Sequence, residues 1–162
     1  MRALLLLPAA ALLSAQAPPP VVRAQYDWGY ASPDGSGKGT LTVLVDPGTG
    51  RTLLELMGLG ERLAFLEGDA KNGYHLIIPR QEVDQRALTL GGLALPFLPK
   101  LGSPTALHRL LTEGEGPGVK VTRRDRQGPV KLTYAGKGDN GKELTVWLTR
   151  TRFQTEPAPA AP

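Results

Sequence analysis

The chain contains no cysteine among its 162 residues. This absence excludes disulfide bonds, thiolate metal ligands, cysteine nucleophiles and a lipid-bearing cysteine. A domain built from this chain therefore relies on its apolar core for stability.

The chain is also poor in aromatic residues and carries little net charge. It has 2 Trp, 4 Tyr and 3 Phe, and 19 Lys and Arg against 15 Asp and Glu give a formal charge of +4. This small excess does not indicate a nucleic-acid partner, and the scattered aromatics form no stacking platform for single strands. Tyr26, Trp28 and Tyr30 favour a core strip over a ligand site.

Motifs that carry catalysis are missing as well. The two histidines, His75 and His108, are not part of any ligand spacing, whereas a metal site needs three or four converging ligands. No Ser-His-Asp set, phosphate-binding glycine loop or carboxylate pair stands out. We expect a protein that is not an enzyme and that has neither cofactor nor metal.

Residues 1–17 have the pattern of a secretory signal peptide. Arg2 provides the basic start, residues 3–13 form an apolar run, and an Ala-x-Ala site ends at Ala17. The run is too short to span a bilayer, which needs about 20 residues. Because Pro18 disfavours a cut after Ala17, cleavage after Ala15 is an alternative. The pattern predicts export to the periplasm.

Short runs rich in Val, Leu, Thr and Tyr, separated by turn signals, predict strands in the remaining chain. We expect a proline-rich leader at 18–20, one β-rich domain at 21–154 and a disordered Pro/Ala-rich tail at 155–162. Between the first two strands we expect a loop over 32–37, while 81–90 fits either a strand or a short helix. The predicted strands are 21–30, 40–45, 52–57, 62–68, 74–78, 119–124, 130–134 and 144–153.

One helix is predicted, over 103–111. Ser103 can cap its start, Pro104 suits the first helical position and Gly114 follows its end. Leucines at helical spacing give it one apolar face, which must pack on a sheet. Strands, a short helical region and more strands predict a mainly β (α+β) fold: a curved antiparallel sheet or half-barrel with a short helical lid on its concave face.

Residues 53–69 form two apolar strands joined by a loop in which Leu59 stands between Gly58 and Gly60. A turn uses glycine for its backbone but does not need a leucine between two glycines. Leu59 is therefore either a core residue, as isolated leucines usually are, or an exposed apolar tip.

Basic residues cluster around a predicted hairpin turn. The pattern is typical of a solvated strand end, and the alternative is a docking patch for an acidic partner or for anionic headgroups. The cluster consists of Arg123, Arg124, Arg126 and Lys131.

Two segments resemble the LolA/LolB family of bacterial lipoprotein carriers. Residues 54–69 (LELMGLGERLAFLEGD) are similar to the family's strand, loop and strand, with Gly58 where proline usually stands. Residues 92–114 are similar to its lid region. The resemblance implies a half-barrel enclosing an apolar cavity and a role in lipoprotein transport to the outer membrane. It also makes Leu59 the candidate membrane-facing residue of the loop.

The partners implied are a lipid acyl chain or a lipoprotein, and in addition a membrane surface or another envelope protein. Sequestering an acyl chain needs only apolar surface, without any reactive group. The alternative is a structural or assembly protein of the envelope that acts through protein contacts and has no lipid cavity. The expected cavity residues are Leu41, Val43, Leu54, Leu56, Leu63, Phe65, Leu76 and Ile78 on the strands, and Leu95, Phe97, Leu107 and Leu111 on the lid.

Overall fold

A computed structural model of the chain describes residues 17–93, 102–137 and 141–158. Nine strands form one open, curved antiparallel sheet in the order β6-β5-β4-β3-β2-β1-β9-β8-β7, and one short helix accompanies it. The predicted fold class is confirmed. The strands are β1 Val21–Ser32, β2 Gly35–Val45, β3 Thr52–Gly58, β4 Glu61–Asp69, β5 Gly73–Ile78, β6 Val83–Ala87, β7 Val119–Asp125, β8 Gly128–Lys137 and β9 Glu143–Glu156, and the helix is α1 Pro104–Glu113.

The helix has the caps that its sequence predicts, and it ends at Glu113, two residues beyond the predicted end. The Ser103 side chain accepts a hydrogen bond from the Ala106 N–H at 3.1 Å. Gly114 has a φ of 75°, and its N–H donates to the Arg109 and Leu110 carbonyls. This left-handed cap stops the helix because only glycine adopts it without strain.

Alternation along the strands divides the sheet into two faces. On β1, Val22, Ala24, Tyr26 and Trp28 point to one side and are buried, and we call this side the inner face. Residues opposite them on the neighbouring strands continue the same face across the sheet. The apolar side of α1 packs there, mainly over β8, β1 and β2. The core therefore lies between the inner face and the helix.

Segment 79–93 contains the edge strand β6. The sequence of 81–90 is compatible with either a strand or a short helix, and the structure shows a strand. Two single 3₁₀ turns, Pro79–Gln81 and Leu90–Gly92, flank it. Asp84 and Arg86 are exposed, whereas Val83, Gln85 and Ala87 alternate with them and are half-buried on the inner side. The mixed composition thus reflects an edge strand with one solvated face.

The expected loop over 32–37 is wrong, since β1 and β2 continue almost to their connection. Only Pro33 and Asp34 join them. Glycines occupy β2 here because aromatic rings from β1 cover them. A Cβ on Gly37 would lie 2.6 Å from the Tyr30 ring, and one on Gly39 would lie 2.8 Å from the Trp28 indole nitrogen. Aromatic residues can stabilise strand glycines in this way.

Among the residues that the structure describes, no helix combines the length and apolar character needed to cross a bilayer.

Candidate functional site

The inner face of β2 to β5 carries most of the strand residues expected to line a cavity. Their positions are opposite one another in the ladders, so they form a continuous apolar surface. The helix contributes two buried leucines to the same cluster. The expected residues on this surface are Leu41, Val43, Leu54, Leu56, Leu76 and Ile78, with Leu107 and Leu111 from α1.

An irregularity in the β3–β4 ladder changes the position of two further candidates. Ala64 lies opposite Leu56 but Arg62 lies opposite Met57, so Leu63 is an extra residue, and it packs against the core. Phe65 instead lies on the outer face, with the Arg62 guanidinium carbon 4.9 Å from its ring centroid. Phe65 is therefore corrected to the outer face.

Leu95 and Phe97, the two other lid candidates, lie outside the described residues.

Apolar side chains on the inner face remain half-buried toward the β3–β4 connection. The Trp28 and Tyr30 rings stack there, with centroids 6.1 Å apart. The half-buried residues packed against the core in this region are Tyr30, Leu56, Leu63, Ala64 and Val83. This end of the inner face therefore presents apolar surface to solvent.

Leu59 lies at the tip of the β3–β4 hairpin, beside that surface. Its relative exposure is 87%, so the exposed interpretation is the one observed. Leu59 and Gly60 form a two-residue connection with φ values of 52° and 80°. Turns with two positive φ values favour Asn-Gly, and a left-handed leucine costs roughly 1–2 kcal/mol. Leu59 is not buried, and its backbone conformation disfavours leucine, so the fold does not explain why a leucine stands here.

The base of this hairpin is held from two sides. The Trp28 indole N–H donates to the Met57 carbonyl at 2.9 Å. Close packing of β2 leaves no room for a side chain at Gly39, whose Cβ would lie 1.8 Å from that same oxygen. On the other side, Arg80 pairs with Glu61 at 2.7 Å. Leu59 is therefore presented on an anchored hairpin.

The residues of the predicted basic cluster differ in their contacts. Arg124 donates to the Glu113 carbonyl at 2.6 Å, so it caps the C-terminal end of α1. Arg123 and Lys131 lie directly opposite each other on β7 and β8 and are exposed, while Arg126 is in the turn that follows β7. Like charges directly opposite are unfavourable in a sheet.

A buried polar pair on the inner face was missed in the sequence. Tyr26 is completely buried and lies opposite Arg150 in the β1–β9 ladder, where the Arg150 side chain is 4% exposed. Arg150 Nη2 donates to Asp125 Oδ2, and the guanidinium lies 4.8 Å from the Phe153 ring centroid. Val146 and Leu148 alternate inward along β9. Extending this alternation by two residues places Arg150 on the inner face, so the sequence contains a signal for a charge that faces the core.

The electrostatics of this pair follow from its burial. Burial raises the pKa of the Tyr26 phenol well above its usual range, and the positive charge of Arg150 partly opposes the rise. The hydrogen bond from Arg150 is the main cause that lowers the pKa of the Asp125 carboxyl. Tyr26 Oη and Arg150 Nη1 are buried and have no hydrogen-bond partner within the described ranges.

An open groove of about 630 Å³ lies at the opposite end of the sheet, around the β4–β5 hairpin. His75, one of its residues, contacts Asp84 at 2.7 Å. In the described part of the chain, no group of three His, Asp or Glu residues is placed to hold a metal ion. The groove is lined in part by Arg51, Leu53, Glu67, Asp69, Asn72, Arg86 and Leu88.

No protein-family model and no curated protein matches this sequence. The resemblance to the LolA/LolB family therefore stays a prediction.

Proposed function

We propose that the protein is a periplasmic carrier of the LolA/LolB-like kind, exported with its signal peptide. Its inner face binds an acyl chain, or the lipid part of a lipoprotein, beneath the helical lid. In this role it takes part in lipoprotein transport toward the outer membrane and does not act as an enzyme.

The observation that supports this proposal best is the half-buried apolar surface of the inner face at the β3–β4 end. The half-buried Tyr30 ring, which stacks on the buried Trp28 ring, and aliphatic side chains meet solvent there, continuous with a buried apolar core. Each methylene that moves from water onto such a surface contributes about 0.8 kcal/mol. A long acyl chain thus binds through burial alone.

Leu59 supports a contact with the membrane at this same end. Its exposed side chain lies on an anchored hairpin next to the apolar surface. Burying a leucine side chain in lipid gains about 1.5–3 kcal/mol, which offsets the cost of its left-handed backbone. We propose that the tip enters the acyl boundary while the ligand is exchanged.

Native mass spectrometry of protein purified from the periplasm tests the carrier. We expect a co-purifying mass of an acyl lipid that is released by organic solvent. The variant Ala64→Trp, at a half-buried position on the inner face, should abolish the adduct. The control variant Ala135→Trp, at an exposed position on β8, should leave the adduct unchanged. Lipid-free protein under conditions that retain weak complexes would contradict the proposal.

The opposed pair Arg123 and Lys131 favours one second candidate. An exposed like-charged pair gains stability when an acidic partner covers it, as an envelope assembly protein would require. Lipid-free protein whose Arg123→Glu variant loses a co-purifying envelope partner would support this candidate instead.

A further inference from the structure

Tyr26 Oη and Arg150 Nη1 are two buried polar atoms that the described residues leave without a hydrogen bond. Such atoms are rare in folded proteins, because buried polar groups are nearly always paired with protein, water or ligand. These two belong to cross-strand partners on the inner face. Directly opposite side chains have Cβ atoms about 4.5–5.5 Å apart. The Arg150 charge also acts on the Tyr26 phenol, so the two polar ends lie near each other.

The chemistry of the two atoms defines what that group must offer. A guanidinium has only donors, and the phenol hydroxyl donates wherever an acceptor is present. Arg150 uses Nη2 for Asp125, which leaves Nη1 directed elsewhere. The missing partner is therefore a hydrogen-bond acceptor, and a carbonyl or carboxylate oxygen suits both donors.

Burial limits the size of this partner. Tyr26 is fully buried and the Arg150 side chain is 4% exposed, so a head group that reaches them must displace side chains packed around them and must be small. The head of a lipoprotein is attached to a polypeptide, which a single sheet and helix do not enclose. The carboxyl group of a free fatty acid is small enough and ends an acyl chain.

We propose that Tyr26 and Arg150 bind the carboxyl group of a free fatty acid whose chain lies along the inner face. This inference rests on the carrier function proposed above and specifies its ligand. Asp125 already shares Arg150, but its carboxylate is 48% exposed, so water weakens its repulsion of a second carboxylate. A carboxylate on the guanidinium then forms a charge-assisted hydrogen bond.

A displacement assay with a neutral fluorescent probe, 1-aminoanthracene, tests the inference on the purified protein. Competitors are laurate, methyl laurate and dodecanol, which share a chain and differ in the head. We expect laurate to compete best. In Tyr26→Phe its affinity should fall roughly ten-fold, as expected for one hydrogen bond to a charged group, while dodecanol should change little.

Tyr74→Phe is the matched control. Tyr74 is also buried on the inner face, but its hydroxyl donates to the Gly50 carbonyl at 2.8 Å. We expect Tyr74→Phe to lower the melting temperature and to leave laurate affinity unchanged. Tyr26→Phe should instead weaken laurate binding without lowering the melting temperature. It removes a hydroxyl that makes no protein hydrogen bond in the described structure.

The possible results separate the inference from the carrier function. If Tyr26→Phe binds laurate as the unchanged protein does, the head-group site is wrong and the carrier stands. The same holds if Tyr26→Phe lowers the melting temperature as much as Tyr74→Phe, since the hydroxyl then has a structural partner. If neither probe nor competitor binds the unchanged protein, the carrier function itself fails.

Discussion

Two hairpins at opposite ends of the sheet differ in how well their residues suit their turns. In the β4–β5 connection, Asp69 Oδ1 accepts from the Lys71 N–H at 2.8 Å and from the Asn72 N–H at 2.7 Å, and Gly73 has a φ of 81°. Hydrogen bonds from Asn72 are the main cause that lowers the pKa of the Asp69 carboxyl. Each residue has the chemistry that such a turn requires.

The β3–β4 connection has the same need for positive φ but places Leu59 first. A leucine there is strained and exposes an apolar side chain, whereas an asparagine would be neither strained nor apolar. Folding explains the residues of the β4–β5 connection but not Leu59, for which we propose a contact with the membrane. Exposed apolar residues become informative when the backbone also disfavours them.

The largest expected effect on stability comes from replacing a glycine in the β4–β5 hairpin, and a glycine of the β3–β4 hairpin is its control. Gly60 and Gly73 have φ values of 80° and 81°, but a Cβ on Gly73 would also lie 2.8 Å from the Ala87 carbonyl oxygen, whereas Gly60 has open space. We expect Gly60→Ala to cost about 1 kcal/mol in urea unfolding and Gly73→Ala about 2–3 kcal/mol. Equal costs would show that the β4–β5 hairpin has no tighter packing.

A smaller change in stability is expected when Leu59 is replaced by Asn. Because asparagine tolerates left-handed backbone, the free energy of unfolding should rise by roughly 0.5–1 kcal/mol. Binding to vesicles of phosphatidylethanolamine and phosphatidylglycerol, measured by flotation, should fall.

Leu88→Asn is the control for this variant. Leu88 is 86% exposed, almost as much as Leu59, but follows β6 at the opposite end of the sheet. We expect its replacement to leave flotation unchanged. If both variants lose the vesicles equally, exposed leucine area alone explains the binding and the Leu59 hairpin has no special role.

Local signals predicted much of this fold. Ser103, Pro104 and Gly114 define the helix because capping depends on residues a few positions apart. Alternation in β9 also predicts that Val146 and Leu148 share one face, and both are buried.

Features that depend on neighbouring strands were not predictable in the same way. The glycines of β2 are strand residues because Trp28 and Tyr30 cover them from β1. Phe65 lies on the outer face because the β3–β4 ladder contains an irregularity. Arg150 is buried because Asp125, on a strand two positions away in the sheet, pairs with it. Each depends on register, which short-range patterns do not determine.

The two tryptophans of the chain allow the inner face to be tested directly as the lipid site. Trp28 lies on the inner face, and Trp147 lies on the outer face against Gly29. Dibromostearate quenches a tryptophan only at close range, so we would titrate it into Trp147→Phe and into Trp28→Phe and record the emission. We predict strong saturable quenching of Trp28 and little of Trp147. Quenching of Trp147 alone, or equal quenching of both, would contradict binding on the inner face.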